Sequence, residues 1–205
     1  MAVKRRTLGS RPATAARREE ILNAAVDVFG SRGFANGSLQ EIADRVGMTH
    51  AGVLHHFGSK DKLLLEVLRH RDEADVAGLK GQHIPDGEEL FRHLVATAIH
   101  NAERRGIVQA FAVLSAEAVT DDHPGREYFE QRYQGLRREI AAAFEQMCRE
   151  SGAPIDAPTI AQASAAILAV MDGLQVQWLL DPDAVDLGRA TEFAIDTIVE
   201  AVTRR

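Results

Sequence analysis

Apolar residues along this chain recur at intervals of three and four almost from end to end, which is the period of an α-helix. Asn36-Gly37, Asp86-Gly87 and Asp172-Gly173 could each turn a hairpin, but all three adjoin helical patterns rather than alternating ones. An all-α chain of about nine helices follows. Ile21, Leu22, Ala25, Val28 and Phe29 form one face of a first helix that Gly33 closes. Ser38-Leu39-Gln40-Glu41 reads as a capping box opening a short helix that buries Ile42, Ala43 and Val46 and stops at Gly47. Thr49 caps a third helix with Val53 and Phe57 on one side; Gly58 ends it, and Ser59 starts a fourth over 60–79. A loop is expected from Gly81 to Gly87, then helices near 88–105, 107–120, 126–151, 158–180 and 185–203, punctuated by proline- and glycine-bearing breaks.

Composition narrows the class. With 205 residues, 45% of them hydrophobic and 26% charged, the chain can bury a core without staples. Its single Cys148 excludes an intrachain disulfide and fits a reducing compartment. No apolar run is expected to span a membrane, since Ile160 to Leu180 is broken by Gln162, Ser164, Asp172, Gln175 and Gln177. No apolar h-region follows Lys4-Arg5-Arg6. These features imply a soluble cytoplasmic protein, and DNA binding would add association with the nucleoid.

The net charge of −6 argues against a nucleic-acid partner until it is divided along the chain. Residues 1–62 carry ten basic against six acidic side chains, and the rest carries fourteen against twenty-four. Six of those ten (Lys4, Arg5, Arg6, Arg11, Arg17 and Arg18) precede the first acid, Glu19. A basic flexible arm over 1–16 therefore leads into a phosphate-facing segment.

Residues 38–57 place two short helices on either side of Gly47-Met48-Thr49. A tight glycine turn between two such helices is helix-turn-helix geometry, in which the second helix enters the major groove. The small turn residue is expected to let the helices cross closely. His50, Ala51, Gly52, Leu54 and His55 then form the outward front, while Val53 and Phe57 anchor it inward. An ordinary helical hairpin in a bundle would share the spacing.

The run from Ser38 to Leu64, together with Arg18-Glu19-Glu20-Ile21-Leu22-Asn23-Ala24-Ala25 and Phe29, Gly33 and Phe34, resembles the signature of the tetracycline-repressor (TetR) family over about residues 17–65. The resemblance implies an all-helical homodimer with a DNA-binding head (17–62) and a ligand-responsive, dimerising body (63–205). It places phosphate contacts at Ser38, His56 and Lys60 and base readout on 48–55, so Thr49 falls within that face as well. Where Leu54 stands the family often has tyrosine, whose hydroxyl reaches phosphate. Leu54 instead packs inward or touches a thymine methyl, and either His50 or His55 is left to replace the lost bond.

The histidines do not read as a metal site: His55 and His56 are adjacent and point apart, and His93 and His100 share a solvated face with Thr97. No metal and no cofactor is expected. The body carries no phosphate loop, nucleophile elbow or Cys/His pair. Its eighth helix is apolar nearly all round, with a stripe of Ile160, Ala163, Ile167, Met171, Leu174 and Trp178 and small residues opposite. A helix of that kind must be covered twice. Ile167, Val170, Leu174 and Trp178, with Ala194 and Ile198 of the ninth helix, are therefore expected in a four-helix dimer interface; a monomeric core helix is the alternative.

Phe111, Ser115, Tyr133, Met171 and Gln175 could line a mostly apolar pocket for a largely apolar small-molecule effector. Ser115 could equally bond the carbonyl of its preceding turn. The expected function is an effector-responsive transcriptional regulator, a repressor, binding a palindromic site in double-stranded DNA as a homodimer. A DNA-binding protein without sequence preference and a helical-bundle enzyme are the alternatives.

Overall fold

A computed structural model of the chain describes residues 11–76, 79 and 83–203. Among these residues there are nine helices and no strand: α1 (Arg11–Asn36), α2 (Leu39–Arg45), α3 (His50–Phe57), α4 (Lys60–Val76), α5 (Gly87–Asn101), α6 (Arg105–Glu117), α7 (Arg126–Ser151), α8 (Ala157–Leu180) and α9 (Leu187–Thr203). The basic residues Lys4, Arg5 and Arg6 and part of the expected 81–87 loop lie outside the described residues. α5 ends earlier than its periodicity suggests, because the Arg104 amide turns back to the Asn101 carbonyl at 3.0 Å and α6 starts immediately after.

Helices α1 to α4 do not enclose a core of their own. Ile21, Ala25, Val28 and Phe29 of α1 are fully buried with Ile42, Ala43, Val53, Leu63 and Leu64, and the same cluster takes in Phe111 and Leu114 of α6 and Phe129 of α7. α1 and α6 approach closely at Gly30, where a Cβ would stand 3.1 Å from the Ala110 backbone nitrogen. The Gln109 side chain donates to the Gly30 carbonyl at 3.1 Å across the same crossing.

A second cluster joins Leu90 and Phe91 of α5, Ile140 and Phe144 of α7, Ile167 and Met171 of α8, and Ile195 of α9. The Phe91 and Phe144 ring centroids are 4.7 Å apart within it.

α8 corrects two expectations. Its 24 residues, with a mean hydropathy of 1.4 over the richest stretch, do make it long and apolar enough to cross a membrane, although Ile160, Ile167, Leu168 and Met171 pack within the chain. Ile167 is wholly buried and Trp178 nearly so, against α6, α7 and α9 of the same chain, so neither is free to meet a second copy. Leu174 is half-buried against the Trp178 cluster, Ile198 half-buried against the second core, and Val170 and Ala194 half-buried. The outward face of α8 instead exposes Ala165, Ala166 and Ala169, then Val176 and Leu180, with Gln162 and Gln177 among them. The intrachain core takes the bulky side of the helix because that side fills the volume between α7 and α9.

Candidate nucleic-acid interface and internal cavity

Short-range capping builds the α2–α3 unit. The Ser38 Oγ accepts the Glu41 amide at 3.0 Å, and the Thr49 Oγ1 accepts the Gly52 amide at 3.1 Å. The Glu41 carboxylate turns to Arg45 (3.2 Å) and Arg32 (3.9 Å), so only half of the capping box forms. At the turn, Met48 N–H bonds the Ala43 carbonyl at 2.9 Å and Gly47 N–H the Asp44 carbonyl at 3.3 Å, a Schellman ending with Gly47 at φ 63°. A Cβ on Gly47 would meet nothing within 4 Å. Glycine is needed there for its backbone angle and not, as the sequence suggested, for a close helix crossing. At Gly52 a Cβ would stand 3.0 Å from the Met48 Cε, the mobile end of a side chain that need shift only slightly.

Val53 and Phe57 anchor α3 in the core. Thr49, His50, Ala51 and His55 are exposed, as is Ser38, while Gly52, Leu54 and His56 are half-buried. Burial, with His55 and Arg18 close by, holds the His56 imidazole below its usual pKa, favouring the neutral ring. Lys60, the first residue of α4, is held against the end of α1: its Nζ donates to the Ala35 carbonyl at 3.3 Å and lies 4.5 Å from the Phe34 ring centroid.

Arg18 departs from the expected phosphate role. It donates to the His56 carbonyl at 2.9 Å and to Glu66 at 2.5 Å, with its guanidinium 4.3 Å from the Phe57 centroid. It braces α1 against α3 and α4. Arg17 is paired with Glu20.

In the body, a cavity of about 590 Å³ opens between α4, α5, α7 and α8 with α6 behind it. Phe111, Tyr133, Met171 and Gln175 come together on its wall. Ser115 does not join them; it donates to the Ala112 carbonyl at 3.0 Å and borders a separate depression with Ala118 and Phe129.

The lining is mainly apolar, as expected, but carries more charge than the few polar groups expected, because Arg71, Asp72, Asp75, Arg132 and Asp172 all contribute to it. Arg104 Nη2 donates to Asp75 Oδ1 at 2.7 Å, Asp72 takes both the Arg132 guanidinium and the Tyr128 hydroxyl, and the Tyr133 hydroxyl donates to Asp172 at 2.6 Å. Burial raises the Asp172 carboxyl above its usual range and pushes both tyrosine hydroxyls up. His93, expected on a solvated face, is half-buried on the cavity wall, where burial pushes its imidazole pKa down. Arg71 carried a legible signal: it continues the buried stripe Leu64, Val67 and Leu68, a charge in register with an apolar face.

Against known proteins, residues 21–67 match the profile of bacterial regulatory proteins, tetR family, and residues 87–203 the profile of the BetI-type transcriptional repressor C-terminal region. The chain is 26% identical over 191 residues to the HTH-type transcriptional regulator BetI 1 of Chromohalobacter salexigens, covering 92% of this chain and 91% of that one. It is 27% identical over 196 residues to the HTH-type transcriptional regulator TtgR of Pseudomonas putida, covering 88% of each. Among solved structures, a complex of SmeT with triclosan superposes with a TM-score of 0.70 at 20% identity, over 91% of each chain. SmeT is the repressor of the Stenotrophomonas maltophilia multidrug efflux pump SmeDEF.

Proposed function

We propose, from the premise that the chain belongs to the tetR family of bacterial regulatory proteins, that it works as a homodimeric, effector-released repressor in the cytoplasm, seated on the nucleoid. The residues would divide the labour as a basic arm over 1–16, a reading head over 17–62 and an effector-binding, dimerising body over 63–205. One observation carries the reading: α3 leaves its His50–Ala51–Leu54–His55 side outside the protein core, and Lys60 at the start of α4 is held against the end of α1. Such a front suits base edges, and Lys60, Ser38 and His56 suit the flanking phosphates.

Two heads must sit about one helical turn apart on a palindrome. The alanine-rich outer face of α8, with Phe193 and Ala194 of α9, is the surface on which two copies would pair; Phe193 is 75% exposed. An occupant of the α4–α8 cavity would shift the equilibrium toward a head spacing unfit for DNA, a coupling of about 1–3 kcal/mol. The α1–α6 crossing offers a route for that coupling beside α4.

Selection of bound fragments from a random duplex pool tests the reading. A palindromic consensus is expected, with affinity falling steeply as salt rises and with release on adding an active small-molecule fraction of cell extract. Equal displacement by random duplex would reject it.

A further inference from the structure

We propose that the occupant of the α4–α8 cavity is an amphipathic carboxylate whose anionic group docks on Arg71; this rests on the reading of that cavity as the effector site.

Arg71 is 5% exposed and lies on the cavity wall. It makes no hydrogen bond to any described residue, and its buried Nε and Nη1 are left without partners. The nearest acids stop short: Asp75 is 3.6 Å from Nη2 and Asp72 3.8 Å from Nη1. Asp75 turns its Oδ1 to Arg104 at 2.7 Å and Asp72 is bonded to Arg132 and Tyr128, so both acids pair with the Arg71 charge without accepting a hydrogen bond from it. A guanidinium kept out of water with its donors idle is costly unless an acceptor arrives.

The chemistry of that acceptor follows from the surroundings. The Phe111 ring centroid lies 3.8 Å from the Arg71 Cζ, so the ring covers one side of the planar group and an acceptor must approach from another. Two oxygens in one plane, as in a carboxylate, match the N–H fork of a guanidinium. Asn101 adds a second idle donor, its buried Nδ2, on the same wall. Leu94, Leu136, Leu168 and Met171 supply the apolar side for a hydrocarbon body.

A cationic occupant fits less well. Asp72, Asp75 and Asp172 each already accept from a side chain of this protein, and the other lining acids, Glu73 and Glu139, are exposed to solvent. The unmet demand inside the cavity is for acceptors. Burial also lowers the Arg71 pKa from its usual value, the sign of a charge held in a poor solvent.

Calorimetric titration of the full chain decides. The probes are straight-chain carboxylates from hexanoate to decanoate and the aryl carboxylates benzoate and phenylacetate, each set against its alcohol and trimethylammonium counterparts. At least one carboxylate is expected to bind about tenfold or more tighter than both counterparts, and to lose that margin in Arg71→Gln. The absence of any carboxylate that binds tighter than both its counterparts, silence from every carboxylate included, or an unchanged margin in folded Arg71→Gln would overturn the proposal. If Arg71→Gln does not fold, the wild-type comparison decides alone. Release of selected DNA is measured separately. Arg71-dependent carboxylate binding without release supports the anion site and removes the effector reading, whereas release driven only by compounds indifferent to Arg71 sinks the carboxylate proposal and leaves the regulator reading standing.

Discussion

The Phe34 amide donates to the Glu117 carboxylate at 2.6 Å, tying the end of α1 to the end of α6 across 83 positions of sequence. The carboxylate occupies the space a side chain on Gly33 would need, since a Cβ there would stand 2.1 Å from Glu117 Oε1. Gly33 also sits at φ 72°. Glu117→Ala is expected to lower the unfolding free energy by about 1–3 kcal/mol by leaving a half-buried amide unpaired. Glu117→Gln, which keeps an acceptor, should recover most of it. Denaturant titration of the three proteins checks this.

His123 packs edge-on against Phe34, with centroids 5.3 Å apart, and its Nε2 is 3.9 Å from Glu117. Burial lowers its pKa below the ordinary 6.5, only partly offset by Glu117. A depressed histidine pKa contributes stability that is present above the unfolded value and is lost as pH falls through the folded one. Stability should therefore decline on acidification below 6.5, and decline less steeply in His123→Gln. Thermal unfolding of both proteins across that window is the measurement.

At Gly47 the constraint is the backbone angle alone. Gly47→Ala should cost about 1–2 kcal/mol, and Gly47→Asn less, because asparagine tolerates the left-handed region. If alanine and asparagine cost the same in thermal unfolding, sterics rather than φ govern the turn.

On DNA, Lys60→Ala should weaken all duplexes alike and lower the salt slope by about one, whereas His50→Ala or His55→Ala should relax base preference at single positions. Competition binding at several salt concentrations separates the two behaviours.

The two faces of α8 should respond differently to substitution. Ala169→Glu is expected to yield a folded monomer in sedimentation experiments. Ile167→Ala should destabilise the protomer itself by about 2–5 kcal/mol, without first changing its association.

What could be read beforehand was mostly local. Ser38 and Thr49 cap amides three residues ahead, and Val53 and Phe57 sit one helical turn apart, so neighbours in sequence dictate their roles. Phe111, Tyr133, Met171 and Gln175 were found from apolar spacing, yet the charges beside them were missed because Arg132 meets Asp72 across 60 positions. Periodicity showed that α8 was apolar on two sides, but which side its own chain would claim depends on the volume between α7 and α9. Arg18 illustrates the same limit: its charge was visible, whereas Glu66, which neutralises it, lies 48 residues away.

Phe111 belongs to the same buried cluster as Phe29, Val53 and Leu64, and its ring is also the surface on which Arg71 rests. The cavity and the packing beneath the recognition helix thus have a single partition. On the proposed reading, a guest that pulled Arg71 toward itself would strip one face of that ring of its cover, so the signal would cross the molecule through the lean of one aromatic ring, without a chain of relayed charges.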